Sequence, residues 1–183
     1  MQRLGSSTHS RSRGTREGRK ESVVKEHTYE VSMKWTGNDG HGTSDYKAYR
    51  RDHIHSAAGK PDIPGSSDPH FRGDASRYNP EELLVSSLSS CHLLWYLHLC
   101  AVNGVVVVGY EDNATGVMQE NADGSGQFLG VDLCPKVKIT AGSDPGKAAA
   151  LHDEAHHLCF IARSVKFPVH CHAIIEVVNA VAQ

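Results

Sequence analysis

The sequence predicts an α+β domain with the element order β-β-α-β-β-α-β. Two long segments carry helix signals, and the segments around them alternate apolar with polar residues, as strands do. The first helix is predicted from the N-cap Asn79 to the stop at Gly104. The second is predicted over 143–166, with Asp144 at its start and Pro168 beyond its end. The 183 residues are enough for one domain with a sizeable core.

The strands are predicted from period-two alternation and from the turn residues between them. They are expected at 27–35, around 45–55, and at 105–118, 127–140 and 169–178. A loop rich in Gly, Pro, Ser and Asp follows the second strand and extends to the first helix. Loops of this length inside a compact domain are usually functional or mobile.

Charge divides the chain into a basic arm and a mildly acidic body. Residues 1–26 hold seven Lys/Arg and three Asp/Glu, whereas the remainder holds twelve Lys/Arg and eighteen Asp/Glu. The arm has little to bury, so we expect it to be disordered and the domain to span 27–183. It lacks the apolar stretch of a secretory signal, and no apolar run approaches the roughly 20 residues of a membrane span. We therefore expect a cytoplasmic protein with no membrane partner, and the acidic body argues against nucleic acid.

The chemistry is expected to lie in the cysteines. Their odd count of five and the lack of a CxxC pair argue against a disulfide framework and a zinc ribbon. Two of them stand in distinctive segments, NPEELLVSSLSSC at 79–91 and LCFIARSVK at 158–166. Cys91 follows Glu81 by ten positions, and Cys159 precedes Ser164 in the second predicted helix.

These two segments resemble the cysteine motifs of the OsmC/Ohr family, thiol peroxidases that reduce organic hydroperoxides and protect against oxidative stress. The resemblance extends over roughly residues 27–178, and Phe160 stands where the family usually has a proline. It implies the OsmC-like fold, in which antiparallel sheets wrap around two long central helices of an intertwined homodimer. It also implies that no metal or other cofactor is needed and that an external dithiol, such as dihydrolipoamide or a lipoylated protein, is the reductant.

The resemblance also implies the roles of the site residues. Cys91 would be the peroxidatic cysteine, and Cys159 would resolve its sulfenic acid as an intramolecular disulfide. Glu81 would orient an arginine that holds the thiolate. The candidates for that arginine are Arg51, Arg72 and Arg77, and His70 falls closest by counting from the glutamate.

Physical chemistry sets further conditions on this site. Cys91 lies three turns into its helix, where the helix dipole helps little and burial raises a thiol pKa, so a reactive thiolate needs an external cation. Ten helical residues separate Glu81 from Cys91 by about 15 Å, which suggests that a second chain completes the site. An apolar lining from Leu94, Trp95 and the loop at Phe71 would favour organic hydroperoxides.

Two alternatives remain open from the sequence. His152, His156 and Cys159 fall at i, i+4 and i+7 on one helical face, a spacing that can bind zinc. The other alternative is a non-catalytic protein of the same fold, whose cysteines only pack or bind a ligand. The other three cysteines are predicted to be packing residues: Cys100, Cys134 and Cys171.

Overall fold

A computed structural model of the chain describes residues 25–179. The chain divides into two units, 1–30 and 31–183, and all regular secondary structure of the described residues lies in the second unit. Residues 25–30 are exposed and irregular. The predicted disordered arm falls almost entirely outside the described residues.

The α+β prediction is confirmed, and the helices and strands follow one another in nearly the expected order. The elements are β1 (Ser32–Trp35), β2 (His53–Ser56), β3 (Ile63–Gly65), α1 (Pro80–Val102), β4 (Val107–Asp112), β5 (Thr115–Glu120), β6 (Gly126–Leu133), β7 (Pro135–Thr140), α2 (Pro145–Leu158), β8 (Val169–Cys171) and β9 (Ile174–Val178).

Helix α1 begins and ends where the local sequence rules predict. The Asn79 side chain accepts a hydrogen bond from the Glu82 amide at 2.7 Å, and the Glu82 carboxylate accepts one from the Asn79 amide at 3.2 Å. These two bonds form a capping box. At the other end, Gly104 adopts φ +74°, and the Val105 amide donates to the Cys100 carbonyl at 2.9 Å.

The length and composition of α1 would also let it cross a membrane, contrary to the expectation from the sequence. Its 23 residues include a window with a mean hydropathy of 1.3. Core helices pass the same test, and in this fold α1 packs against α2, β4 and β5. The absence of a membrane partner stays a prediction.

The strands form three sheets of three strands each. The first has the order β1-β2-β3 and is antiparallel throughout. The second has the order β4-β7-β9 and the third β5-β6-β8, and each combines one antiparallel with one parallel pairing. The expected antiparallel pairing is therefore present in all three sheets, and two of them are mixed.

Each of the last three predicted strands is divided near its middle, and one partly buried contact explains the break in the first two of them. The Asp112 carboxylate accepts hydrogen bonds from the Cys134 amide at 2.7 Å and from the Ser89 hydroxyl at 2.5 Å. It thus holds α1 against the point where β4 and β6 end. Pro135 follows directly and has no amide to continue a ladder.

Helix α2 is shorter than predicted. The Asp144 side chain caps it by accepting from the amides of Gly146 and Lys147, as the sequence suggests. The chain leaves the helix at Cys159, whose backbone is extended with φ −64° and ψ 110°, and a short 3-10 turn follows at Ala162–Ser164. The expectation of a helix over 143–166 is wrong because the apolar residues after Cys159 pack into a separate cluster.

Two apolar clusters fix the helices relative to the sheets. The larger lies between α1, α2 and the β4-β7-β9 sheet and includes Tyr96, Leu99, Val137, Ile139 and Leu151. The smaller centres on Leu88, Val131 and Leu133, and the partly buried residues packed against it include Ile161 and Val165. The two clusters fix the part of α1 that carries Cys91.

Candidate active site

The Cys91 thiol lies in the wall of an open apolar groove of about 560 Å³. The groove is lined by Ser87, Ser90, Cys91, Leu94, Trp95, His98, Phe160 and Ile161. Leu94 is 68% exposed, and Phe160, which is 66% exposed, meets the Trp95 ring edge-on at 5.6 Å between centroids. An apolar molecule that enters the groove therefore reaches Cys91 directly.

The Cys159 thiol is buried beside Cys91, and neither is in a disulfide. Its sulfur accepts a hydrogen bond from the Ala162 amide at 3.4 Å. Burial, helped by the neighbouring Cys91 thiol, raises the pKa of Cys159 to about 11. The structure thus brings together the two cysteines of the sequence motifs, one facing a groove and one behind it.

None of the three candidate arginines lines this groove in the chain between residues 25 and 179. Arg51 donates to the carbonyls of Tyr49 and Tyr46 at 2.7 and 2.9 Å and lies over both rings. Arg51 is therefore held by its own loop. Arg72 is exposed, with φ +63°.

Arg77 is more buried than Arg72 and lies between two carboxylates. Its Nε is 3.4 Å from Asp74 and 3.9 Å from Asp52. Its buried Nη1 has no hydrogen-bond partner among the described residues. Among the three candidates it is the one with a buried donor that has no partner among the described residues.

Glu81 lies in different cavities from Cys91. One of about 660 Å³ is also lined by Asp68, Tyr78 and Asp112, and a smaller one by Phe71 and Met118. The expected separation of Glu81 from Cys91 within one chain therefore agrees with the structure. Phe71, predicted to line the groove, lies elsewhere, and Phe160 and Ile161 take that position.

The predicted zinc set of His152, His156 and Cys159 does not come together among residues 25–179. His156 is exposed, and Cys159 lies with Cys91. His152 instead points into the core, where its Nδ1 is 2.9 Å from Nε2 of His92. This alternative is wrong because α2 ends before Cys159.

The histidine pair is a feature that the sequence reasoning missed. His92 is 1% exposed and His152 4%, and the His152 ring stacks on Tyr96 at 3.8 Å between centroids. The Cys171 sulfur, predicted only to pack, lies 3.6 Å from His92 and 3.7 Å from His152. The sequence did contain one sign of this pair, a histidine at an apolar position of each helix. His92, for example, lies one turn before the core residue Tyr96.

Comparison with known proteins agrees with this fold. A model of the OsmC-like protein family matches residues 73–173. The chain belongs to the OsmC-like family. An OsmC-like protein of unknown function from Vibrio cholerae is 31% identical, with a TM-score of 0.75, over 81% of this chain and 100% of that one.

Two OsmC-fold structures with lower identity carry a functional description. An organic hydroperoxide resistance protein from Elizabethkingia anophelis is 15% identical, with a TM-score of 0.59, over 85% of this chain and 100% of that one. The organic hydroperoxide resistance protein OhrB of Bacillus subtilis is 17% identical, with a TM-score of 0.55, over 82% and 98%. Among curated proteins, none matches the sequence significantly. At these identities the likeness establishes the OsmC fold, and the expected fold class is confirmed.

Proposed function

We propose that this OsmC-like protein is a thiol peroxidase that reduces organic hydroperoxides to alcohols. The observation that carries the proposal is the Cys91 thiol in an apolar groove with the buried Cys159 thiol beside it. Family membership and the hydroperoxide-resistance proteins among its structural neighbours support the same reaction. The groove suits an alkyl or aryl hydroperoxide better than hydrogen peroxide, because its wall offers carbon atoms rather than hydrogen-bond donors.

The reaction needs two thiols in sequence. The Cys91 thiolate attacks one peroxide oxygen, the S–O bond forms as the O–O bond breaks, and the alkoxide takes a proton and leaves as the alcohol. The Cys159 sulfur then attacks the sulfenic acid of Cys91, hydroxide takes a proton and leaves as water, and a disulfide joins the two residues. An external dithiol, such as dihydrolipoamide or a lipoylated protein, returns both thiols by exchange and becomes a disulfide itself. A reducing compartment such as the cytoplasm suits this cycle.

The thiolate-binding cation is proposed to come from a second chain of a homodimer. No arginine of residues 25–179 lines the groove, and Glu81 lies in other cavities. Exposed apolar side chains on and beside α1, including Leu94, Val102 and Val106, offer a surface for such a partner. In this arrangement the second chain supplies both the arginine and the Glu81 that positions it. Arg77 is the best supported candidate for this arginine, ahead of Arg72 and Arg51.

The activity is tested with cumene hydroperoxide and a dithiol. Wild type should consume peroxide catalytically, and Cys91→Ser should fall to the uncatalysed background. Cys100→Ser is the matched control, because Cys100 is buried in the core on the same helix and should leave activity unchanged. A Cys91→Ser protein with wild-type activity, or a wild type that consumes no peroxide, would rule out the proposal.

Cys159 is tested by mapping the oxidised protein. One equivalent of hydroperoxide should produce a Cys91–Cys159 disulfide in wild type. In Cys159→Ser the first attack should survive, and excess peroxide should drive Cys91 to the sulfinic and sulfonic acids. A disulfide that joins Cys91 to Cys100, Cys134 or Cys171 would contradict the assigned resolving role.

The shared site is tested by complementation. Mixed Cys91→Ser and Glu81→Ala chains should regain activity, because a heterodimer restores one intact site of two. Random exchange should restore about a quarter of wild-type activity, since half of the dimers are mixed. Light scattering should give twice the chain mass, and an active monomer would exclude a site shared between chains.

A further inference from the structure

We propose that His92, His152 and Cys171 form a buried site for a zinc ion. The three residues come from α1, α2 and β8, and their ligand atoms all lie within 4.8 Å of one another. No other group of three His, Cys, Asp or Glu side chains with such spacing is found among residues 25–179. The site is separate from the Cys91–Cys159 pair and does not depend on the proposed peroxidase reaction.

The geometry of the three atoms fits the metal. The separations are 2.9 Å between His92 Nε2 and His152 Nδ1, and 3.6 and 3.7 Å from these nitrogens to the Cys171 sulfur. A tetrahedral zinc ion, with Zn–N about 2.05 Å and Zn–S about 2.3 Å, separates nitrogen from sulfur by roughly 3.6 Å and nitrogen from nitrogen by roughly 3.3 Å. The sulfur-to-nitrogen distances therefore match, and the two rings need to separate by about 0.4 Å.

The size of the triangle formed by the three ligand atoms also suits the metal. The point equidistant from the three atoms lies about 2.0 Å from each of them, close to the bond lengths of zinc. The rings are nearly parallel, with 5° between their planes. Small rotations of these two side chains are therefore enough to exchange their mutual hydrogen bond for two bonds to the metal.

The protonation states suit metal binding. Burial lowers the pKa of His92, and lowers that of His152 to about 4, so both rings are neutral at physiological pH. A neutral imidazole is the form that binds a metal. Burial, with Asp112 and Asp153 nearby, raises the pKa of Cys171 to about 11. Zinc binding should therefore release one proton, that of the Cys171 thiol.

The charges around the site favour a divalent ion over a monovalent one. Zinc with one thiolate and two neutral imidazoles leaves one positive charge. The Asp112 carboxylate acts on both His92 and Cys171 and lies on the adjoining β4, so it offsets this charge. Tyr110 lies close enough to feel the charge of Cys171, and its hydroxyl is buried without a hydrogen-bond partner among the described residues, so it can donate to a water in the fourth position.

The test begins with the full chain stripped of metal by a chelator and reduced. Zinc titrated against a chromophoric competitor should bind at one equivalent per chain. Cobalt(II) should give a thiolate charge-transfer band in wild type. That band should be lost in Cys171→Ser and retained in Cys134→Ser, the matched control whose cysteine lies outside the triangle.

A second measurement needs no variant. Zinc should protect Cys171 of the wild-type protein from alkylation and leave Cys91 in its open groove reactive, as read by peptide mass spectrometry. Protection of Cys91 and Cys159 instead would place the metal on the peroxidase thiols and overturn the proposal. Failure to bind one equivalent of zinc, or uptake of copper(I) but not zinc, would overturn it as well.

Discussion

The buried histidine pair should make the stability of the metal-free fold sensitive to mild acid. Burial, and to a lesser degree the neighbouring His92, lowers the pKa of His152 from 6.5 to about 4. Between these two pH values the His152 ring is therefore protonated in the unfolded chain and neutral in the folded chain. The stability contributed by the neutral ring is complete above pH 6.5 and is lost as the pH falls toward 4.

The size of this effect follows from the displacement of the pKa. The pKa of His152 is about 2.5 lower in the folded chain than in the unfolded chain. At about 1.4 kcal/mol for each pKa unit, protonation of this ring removes about 3 kcal/mol from the free energy of unfolding. The pKa of His92 is lowered by the same burial and acts in the same direction. For a chain of this length the loss corresponds to a fall in melting temperature of roughly 10 °C.

Urea unfolding at fixed protein concentration, with a chelator present, measures the effect at pH 7, 6, 5 and 4.5. His152→Gln should flatten the pH dependence, because the titrating ring is gone. His157→Gln is the matched control, since His157 is exposed on the same helix and its loss should leave the slope unchanged. A wild-type stability that is constant over this range, or a His152→Gln protein with the wild-type slope, would refute the reasoning.

Three further substitutions test the fold and the groove. Asn79→Ala removes the capping box of α1 and should lower the free energy of unfolding by about 1 kcal/mol in urea titration, with no loss in Asn79→Ser. Leu88→Ala empties a fully buried position and should cost about 3 kcal/mol in the same assay, whereas Leu94→Ala, at an exposed position, should cost little. Phe160→Ala shortens the groove wall and should raise KM for cumene hydroperoxide more than for tert-butyl hydroperoxide, and an equal change for both would count against contact with the substrate.

The parts of the fold that local chemistry governs could be predicted from the sequence. Asn79 and Gly104 bound α1 because capping depends on residues within one turn of the helix end. The pairing of Cys91 with Cys159 came from the motif resemblance, and the structure places them side by side. Alternation located the long strands, but the carboxylate of Asp112, which divides two of them, acts through contacts more than twenty positions away.

The features that sequence reasoning missed depend on distant contacts. Cys159 was expected inside a helix, yet the packing of Ile161 and Val165 into the smaller cluster ends α2 before it. His92 and His152 are sixty positions apart, and only the docking of α1 on α2 shows that their rings meet. An arginine for the proposed thiolate site could not be chosen from spacing, because the Arg51 side chain binds the carbonyls of its own loop.

The position of Cys159 at the very end of α2 has a mechanical consequence. Its amide still donates to the His156 carbonyl, but its sulfur is held outside the helix by the backbone of the following turn, where the Ala162 amide donates to it. A change in the bonding of this sulfur therefore strains a turn of a few residues and leaves both helical ladders intact. The proposed redox cycle would then move Phe160, the neighbouring residue in the groove wall, and leave the two apolar clusters in place.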